Sequence, residues 1–178
     1  MKGCIVYSSL SGRTKKLAYG LYETLKEEYC LTIKERKEEM DLSPYDTIFL
    51  GFWAYKGGND PSLDFIFPRL KGKDVYVFGT LGYFDDSPHA YRTRQAVVEK
   101  VKACGGRVIG SFITTGGIPE KRIEEKIRKR AQSKRPLTEE RLVRYRLTAD
   151  YPTEVDIAAL AQRVDLNLKI LEETGGKL

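Results

Sequence analysis

The stretch Val6-Tyr7-Ser8-Ser9-Leu10-Ser11-Gly12-Arg13-Thr14 decides the fold, because an apolar run passes into hydroxyl residues and then directly into a helical pattern. Lys2 to Tyr7 predicts a short strand that is buried on both faces. The apolar positions of the following helix recur three and four residues apart, at Leu17, Ala18, Leu21, Tyr22 and Leu25. The turn between strand and helix therefore presents unpaired backbone N–H groups at one point, where they favour an anion such as phosphate.

The side chains of this turn fit the same anion. Three hydroxyl groups can donate to it, and the single glycine lets the backbone approach a ligand closely. The candidate phosphate-binding residues are Ser9, Leu10, Ser11, Gly12, Arg13 and Thr14. On local signals alone, an ordinary strand-to-helix turn with a serine N-cap explains the stretch equally well. The sequence lacks both the Gly-Lys-Ser or Gly-Lys-Thr of a Walker loop and the three spaced glycines of a Rossmann fingerprint.

Length and composition favour one folded domain over residues 1–178. Hydrophobic residues make up 41% of the 178 and charged residues 31%, which is an ordinary globular balance. No run approaches the roughly 20 apolar residues of a membrane span, so we expect a cytoplasmic protein without membrane contact. The three cysteines have no Cys-x-x-Cys spacing and predict neither a disulfide framework nor a zinc site.

The net charge of +6 is concentrated in one segment. Residues 120–146 contain eleven Lys or Arg and five Glu, a surplus of six that equals the whole net charge. Such a patch can serve nucleic acid, an anionic membrane surface or an acidic protein partner, and it can also be only a solvated helical face. Tyr145 is the one aromatic residue in the segment, too few for base stacking, so we expect no nucleic acid partner.

Strand and helix patterns alternate along the chain. Further strands are predicted over Cys30–Lys34, Thr47–Gly51, Lys73–Gly79 and Arg107–Thr114. Further helices are predicted from Ser62 to Leu70, Pro88 to Cys104, Glu120 to about Ser133, after Thr138, and from Thr153 to about Glu173 with an apolar stripe from Val155. This alternation predicts an α/β fold with a doubly wound, five-stranded parallel sheet. We expect the basic residues 120–150 to form a helical insertion before the last helix.

Aromatic residues and glycines follow two of the predicted strands. The carboxyl ends of parallel strands are where open α/β sheets bind ligands. The candidate residues here are Trp53, Ala54, Tyr55, Gly57, Gly58, Thr80, Leu81, Gly82, Tyr83 and Phe84. Trp53 and Tyr83 can each be core residues, but their convergence with the phosphate turn favours stacking on a ligand. No metal cluster or catalytic group stands out, and His89 is interpreted as a surface residue.

Ser9-Leu10-Ser11-Gly12-Arg13-Thr14 resembles the Thr-x-Thr-Gly-x-Thr pattern with which flavodoxins bind the phosphate of flavin mononucleotide (FMN). The resemblance covers nearly the whole chain and implies strand order 2-1-3-4-5 with FMN as cofactor. It also implies that Trp53 covers one face of the isoalloxazine ring and that Tyr83, with Phe84, covers the other. Gly57 and Gly58 match a peptide whose carbonyl can turn toward the flavin N5.

Three further segments look like those of short bacterial flavodoxins, some of which accompany bilirubin reductases. They are Gly51-Phe52-Trp53 with Lys56-Gly57, Phe78-Gly79-Thr80-Leu81-Gly82, and Pro136-Leu137-Thr138-Glu139-Glu140-Arg141. Two features depart from ordinary flavodoxins. The chain is basic where they are typically acidic, and Arg13 stands where Asn is common. Its guanidinium can pair with the phosphate or point into solvent.

The resemblance implies an electron carrier in which FMN cycles and a redox protein, acidic at its docking face, is the partner. A bilin reductase is the specific candidate. An FMN-dependent NAD(P)H oxidoreductase of quinones or other small molecules is the alternative, although the sequence has no second Gly-rich dinucleotide motif. A cofactor-free basic binding module fits the charge but leaves the three strand-end loops unexplained.

Overall fold

Five parallel strands form the central sheet. The computed structural model describes residues 1–131 and 137–176. Its strands are β1 (Lys2–Tyr7), β2 (Cys30–Glu35), β3 (Thr47–Tyr55), β4 (Gly58–Asn59), β5 (Asp74–Leu81) and β6 (Arg107–Thr115). The short β4 pairs antiparallel with β3, and the parallel strands lie in the order β2-β1-β3-β5-β6. With β4 set aside, this is the predicted order 2-1-3-4-5, which is confirmed.

The helices cover both faces of the sheet. They are α1 (Arg13–Leu25), α2 (Pro88–Ala103), α3 (Glu120–Arg130), α4 (Glu139–Leu147) and α5 (Glu154–Glu173). Strand β1 shows the consequence, because its side chains alternate between two cores. Cys4 and Val6 point into the core beneath α2, whereas Ile5 and Tyr7 point into the core beneath α1 and α5. A strand buried on both faces has an unbroken apolar sequence, as predicted.

The prediction of one helix from Ser62 to Leu70 is wrong. Two short 3-10 helices, Pro61–Leu63 and Phe67–Leu70, occupy this stretch. Pro68 has no N–H to donate to a preceding carbonyl, and its ring disfavours α conformation in the residue before it. The hydroxyl of Ser62, predicted to cap the helix, donates to the buried carboxylate of Asp60 instead.

Several boundaries also differ from the prediction. Strand β3 continues past Gly51 to Tyr55, because Trp53 pairs with Thr80 of β5 and the last two residues pair with β4. Helix α3 ends at Arg130, and the end predicted near Ser133 lies outside the described residues. In α5, the buried apolar stripe begins at Ile157 and not at the predicted Val155, which is 78% exposed.

Within residues 1–131 and 137–176, no helix combines the length and apolar content that a membrane crossing needs.

The amino end of α5 is fastened to β6 through Asp156. Its carboxylate accepts hydrogen bonds from the Thr114 hydroxyl at 2.6 Å and from the Thr153 N–H at 2.7 Å. Burial by itself opposes ionisation of Asp156, but the hydrogen bonds from Thr114 and Thr153 outweigh it and hold its pKa below the ordinary value. Asp156 therefore joins the last helix to the edge strand of the sheet as a carboxylate.

We expect Asp156→Asn to lower the free energy of unfolding at pH 7 by about 1–3 kcal/mol, because the hydrogen bonds to a charged acceptor are weakened. The folded pKa lies below the unfolded one, so this stabilisation is complete above the unfolded pKa of about 4 and is lost as pH falls through the folded value. Urea unfolding at pH 7 and pH 3 measures the difference.

The control is Glu154→Gln, in the same helical turn, where the exposed carboxylate lies 3.5 Å from the Lys16 ammonium. It should change stability by less than about 0.5 kcal/mol. An equal loss in Asp156→Asn at both pH values would show that packing, and not the charge of Asp156, accounts for the effect.

Candidate functional site

A cleft of about 190 Å³ opens at the carboxyl ends of β1, β3, β5 and β6. Eight of its lining residues were predicted from the sequence: Leu10, Ser11, Arg13, Trp53, Ala54, Thr80, Leu81 and Gly82. Five were not: Gly116, Gly117, Ile118, Arg122 and Lys126. The remaining predicted residues, Ser9, Gly12, Thr14, Tyr55, Gly57, Gly58, Tyr83 and Phe84, lie outside this lining. The sequence thus located the cleft but identified only part of its wall.

The turn between β1 and α1 leaves a row of donors free. Gly12 caps α1 with a φ of 84°, a left-handed conformation that explains the glycine better than the predicted close approach of a ligand. The described residues offer no acceptor to the backbone N–H groups of residues 10–14. The first turn of α1 contains no acidic residue, and Lys15 and Lys16 stand there instead. Its positive end is therefore uncompensated and suits an anion.

The three hydroxyl groups of the turn have different partners. Ser11 lines the cleft. The Ser9 hydroxyl accepts a hydrogen bond from the Lys15 N–H at 3.2 Å. The Thr14 hydroxyl is buried and lies 2.9 Å from the Thr80 hydroxyl, so it links α1 to the end of β5. Only Ser11 of the three combines a place in the cleft wall with a hydroxyl that is free within the described part of the chain.

Arg13 fastens two loops that pack beside the turn. Its guanidinium donates from Nε to the Gly117 carbonyl at 3.3 Å and from Nη2 to the Ala149 carbonyl. The Gly117 N–H in turn donates to the Tyr151 carbonyl at 2.9 Å. The sequence left two roles open for Arg13, pairing with a phosphate or pointing into solvent. The structure shows neither, because the planar guanidinium binds two backbone carbonyls.

The predicted aromatic residues divide between the cleft and its surroundings. Trp53 lines the cleft and meets Tyr55 edge to face, with ring centroids 5.6 Å apart. Tyr83 and Phe84 lie outside the lining, where the buried guanidinium of Arg144 lies 4.5 Å from the centroid of Tyr83. Glu140 accepts a hydrogen bond from Arg144 at 2.8 Å and holds it in place. The loop after β5 is thus packed against α4.

The predicted glycine pair belongs to a tight hairpin between β3 and β4. Lys56 and Gly57 have φ values of 48° and 84°, and Tyr55 pairs with Gly58 across them. Two consecutive positive φ values define the type I′ turn that antiparallel two-residue hairpins favour. Gly57 needs its conformational freedom, whereas Gly58 lies in a strand.

The residues that sequence reasoning missed come from the loop after β6 and from α3. Gly116 and Gly117 follow a strand end, and that signal could have added them to the site. Arg122 and Lys126 are four apart on α3, which predicts a common face but not the direction in which it points. Burial and the positive charges of Arg130, Arg141 and Arg122 lower the pKa of Lys126. Positive charge is therefore crowded at this wall of the cleft.

The cleft combines free N–H donors and cations with an indole and aliphatic side chains. This composition suits a ligand that has an anionic group at one end and a flat apolar ring at the other. Within the described ranges, no group of three His, Cys, Asp or Glu residues is arranged to hold a metal ion.

Comparisons with known proteins agree with this geometry. The model of a family described as Flavodoxin domain matches residues 4–165. Flavodoxin-like domain-containing protein BilS of Clostridioides difficile is 33% identical over 127 residues, which cover 67% of this chain and 69% of BilS. Flavodoxin 1 of Azotobacter vinelandii is 31% identical over 123 residues, 63% of this chain and 71% of that protein.

A solved structure shares the fold. It is that of Fusobacterium nucleatum flavodoxin bound to flavin mononucleotide, with a TM-score of 0.51 and 18% identity over 67% of this chain and 80% of the other. At this identity the likeness concerns the fold alone.

Arg13→Lys tests the fastening of the two loops. Lysine keeps the charge, but a single ammonium cannot reproduce the forked donation to Gly117 and Ala149. We expect the free energy of unfolding to fall by about 1–2 kcal/mol and the Gly117 amide to exchange faster with D2O. Arg36→Lys, at an exposed position, is the control. Unchanged stability together with unchanged exchange at Gly117 would contradict the role of Arg13.

Proposed function

This chain belongs to the flavodoxin family, and we propose that it binds FMN in the cleft and passes electrons to a partner protein. The observation that carries the proposal is the meeting, in one cleft, of the unpaired N–H groups of residues 10–14 with the indole of Trp53. FMN has a phosphate for the first and an isoalloxazine ring for the second. When bound, FMN supplies one- and two-electron redox chemistry that the side chains of the protein lack.

The donor set fits the phosphate of FMN. Backbone N–H groups at a helix amino end bind oxyanions without a side-chain charge, and the Ser11 hydroxyl adds a donor in the cleft wall. The absence of acid from the first turn of α1 removes the repulsion that a dianion would otherwise meet. In this proposal, Ser9, Gly12 and Thr14 shape the turn, while Leu10 and Ser11 contact the cofactor.

The ring contacts follow the family resemblance. Trp53, with Ala54 beside it, covers the ring on the side of β3, where both line the cleft. Tyr83 covers the other face, and since Arg144 lies over one side of Tyr83, the opposite side of that ring is the one available to the flavin. Thr80, Leu81 and Gly82 close the cleft between these aromatic residues. Excluding water from the ring is how these side chains set its potential.

The hairpin glycines act on the same ring. The resemblance puts the peptide of Gly57 and Gly58 near the flavin N5, where a carbonyl can accept a hydrogen bond from that nitrogen when it carries a proton. Gly57 already has a positive φ, so a rotation of this peptide needs little free energy. Tyr55 packs on Trp53 from outside and supports the first aromatic contact.

The partner is proposed to be an acidic redox protein that docks beside the cleft. Arg128, Lys129 and Arg130 are exposed in the last turn of α3, the helix whose earlier residues line the cleft. A positive surface at this place can steer an acidic partner toward the cofactor. The likeness to flavodoxins that accompany bilirubin reductases makes a bilin reductase the specific candidate.

A fluorescence titration with FMN tests the cofactor. Trp53 is the only tryptophan, so quenching of its emission reports binding at the cleft itself. Ser11→Ala should raise the Kd for FMN about tenfold, because a hydrogen bond to a charged group is lost. Ser43→Ala, in a remote exposed loop, should leave it unchanged. A wild-type protein that takes up no FMN would refute the function, and an unchanged Kd in Ser11→Ala would remove Ser11 from the phosphate site.

Electron transfer from the reduced protein to a purified bilin reductase tests the partner. We expect the second-order rate constant to fall steeply with ionic strength and to drop when Arg128, Lys129 and Arg130 are changed to Glu, because charge steering is screened by salt. Lys71→Glu with Lys102→Glu, at exposed residues just before the amino ends of β5 and β6, is the control. A rate that responds to neither salt nor the triple reversal would leave these cations without a role in docking.

A further inference from the structure

We infer that Arg122 and Lys126 on α3 form a second phosphate-binding element, which makes the cleft select a phosphorylated flavin over an uncharged one. The inference rests on the proposed function and extends it to residues outside the turn between β1 and α1. It assigns a ligand-binding role to the first part of α3, in addition to the docking role proposed for the last turn of that helix.

The first support is the shape of the cleft. Arg122 and Lys126 line the same cavity as Ser11 and Arg13, and that cavity measures about 190 Å³. In a space this small, an anion bound at the free N–H groups of residues 10–14 is within reach of the long side chains of α3. Two donor nitrogens of Arg13, Nε and Nη2, already donate to the carbonyls of Gly117 and Ala149, so its forked guanidinium is not free to bind the anion through both of these groups.

The second support is the position of these cations along α3. Arg128, Lys129 and Arg130 occupy the last turn, where the helix dipole favours positive charge. Arg122 lies in the first turn, where the dipole disfavours it. Ile123, next to it, is buried and fixes the rotation of the helix. The helix itself therefore gives no stabilising reason for a cation at position 122, whereas an anion in the cleft does.

The third support is unbalanced charge. Among the described residues, Arg122, Lys126, Arg130 and Arg141 make no ion pair with a carboxylate. Their mutual repulsion, together with burial, lowers the pKa of Lys126. A phosphate dianion would relieve that repulsion, and it matches the forked donors of arginine. The cations of the cleft wall thus have no carboxylate partner among the described residues, and a bound anion would supply the missing negative charge.

The test compares the affinities of FMN and riboflavin, which differ by the phosphate. Both are titrated against the chain of residues 1–178, and quenching of Trp53 reports binding. In the double variant Arg122→Gln with Lys126→Gln, the Kd for FMN should rise about tenfold or more, while the Kd for riboflavin stays the same. The salt dependence of FMN binding should also weaken. The matched control, Lys121→Gln with Arg128→Gln, removes the same charge from two exposed residues that lie about 100° or more around α3 from Arg122 and Lys126. It should leave both Kd values unchanged.

Each other outcome overturns the inference. An equal rise in the Kd values for FMN and riboflavin would mean that the two residues support the fold of the cleft and do not bind the phosphate. Unchanged FMN binding with slower electron transfer to the bilin reductase would assign them to the partner. Where the double variant fails to fold, the single change Lys126→Gln, at a residue that is only partly buried, gives the same comparison. A wild-type protein that binds neither flavin refutes the proposed function as well, whereas failure of the inference alone leaves wild-type FMN binding intact.

Discussion

A parallel sheet that is covered on both faces has room for polar side chains only at the ends of its strands, and this constraint organises the molecule. Polar groups buried there must be paired, since an unpaired one costs about 1–3 kcal/mol. The pairs at the carboxyl edge join neighbouring elements: Ser8 with Asp60, Thr14 with Thr80, and Thr114 with Asp156. The same hydrogen bonds that satisfy the strand ends therefore hold together the elements that surround the cleft.

The cleft is asymmetric in its chemistry, and the asymmetry follows from the chain connections. The short turn from β1 into α1 exposes a helix amino end, while β3 and β5 continue beyond the end of β1 and carry Trp53 and Leu81 to the carboxyl edge of the sheet. Helix α3 then adds positive charge from a third side. The basic segment is consequently not one surface. Arg122 and Lys126 line the cleft, whereas the cations of the last turn are exposed and lie outside its lining.

The sequence predicted the sheet well because long apolar runs such as Thr47–Leu50 have few alternatives in a folded chain, and the strand order came with the family resemblance. It failed over residues 62–70, where a helical apolar spacing concealed the effect of Pro68. At the site, spacing brought Thr14 close to the cleft but could not show that its hydroxyl turns toward Thr80. Arg122 and Lys126 escaped prediction because the direction of a helix face depends on tertiary packing.

The fastening around Arg13 has a consequence for how this architecture can vary. One guanidinium binds the carbonyls of Gly117 and Ala149, and the Gly117 N–H donates to the Tyr151 carbonyl. The chain after β6 and the chain before α5 are therefore held next to each other. Because the anchors are backbone groups, they place little demand on the side chains in between. The entropy of closing such an excursion grows only slowly with its length. The segment between these anchors can therefore change in length and sequence without altering the register of the sheet.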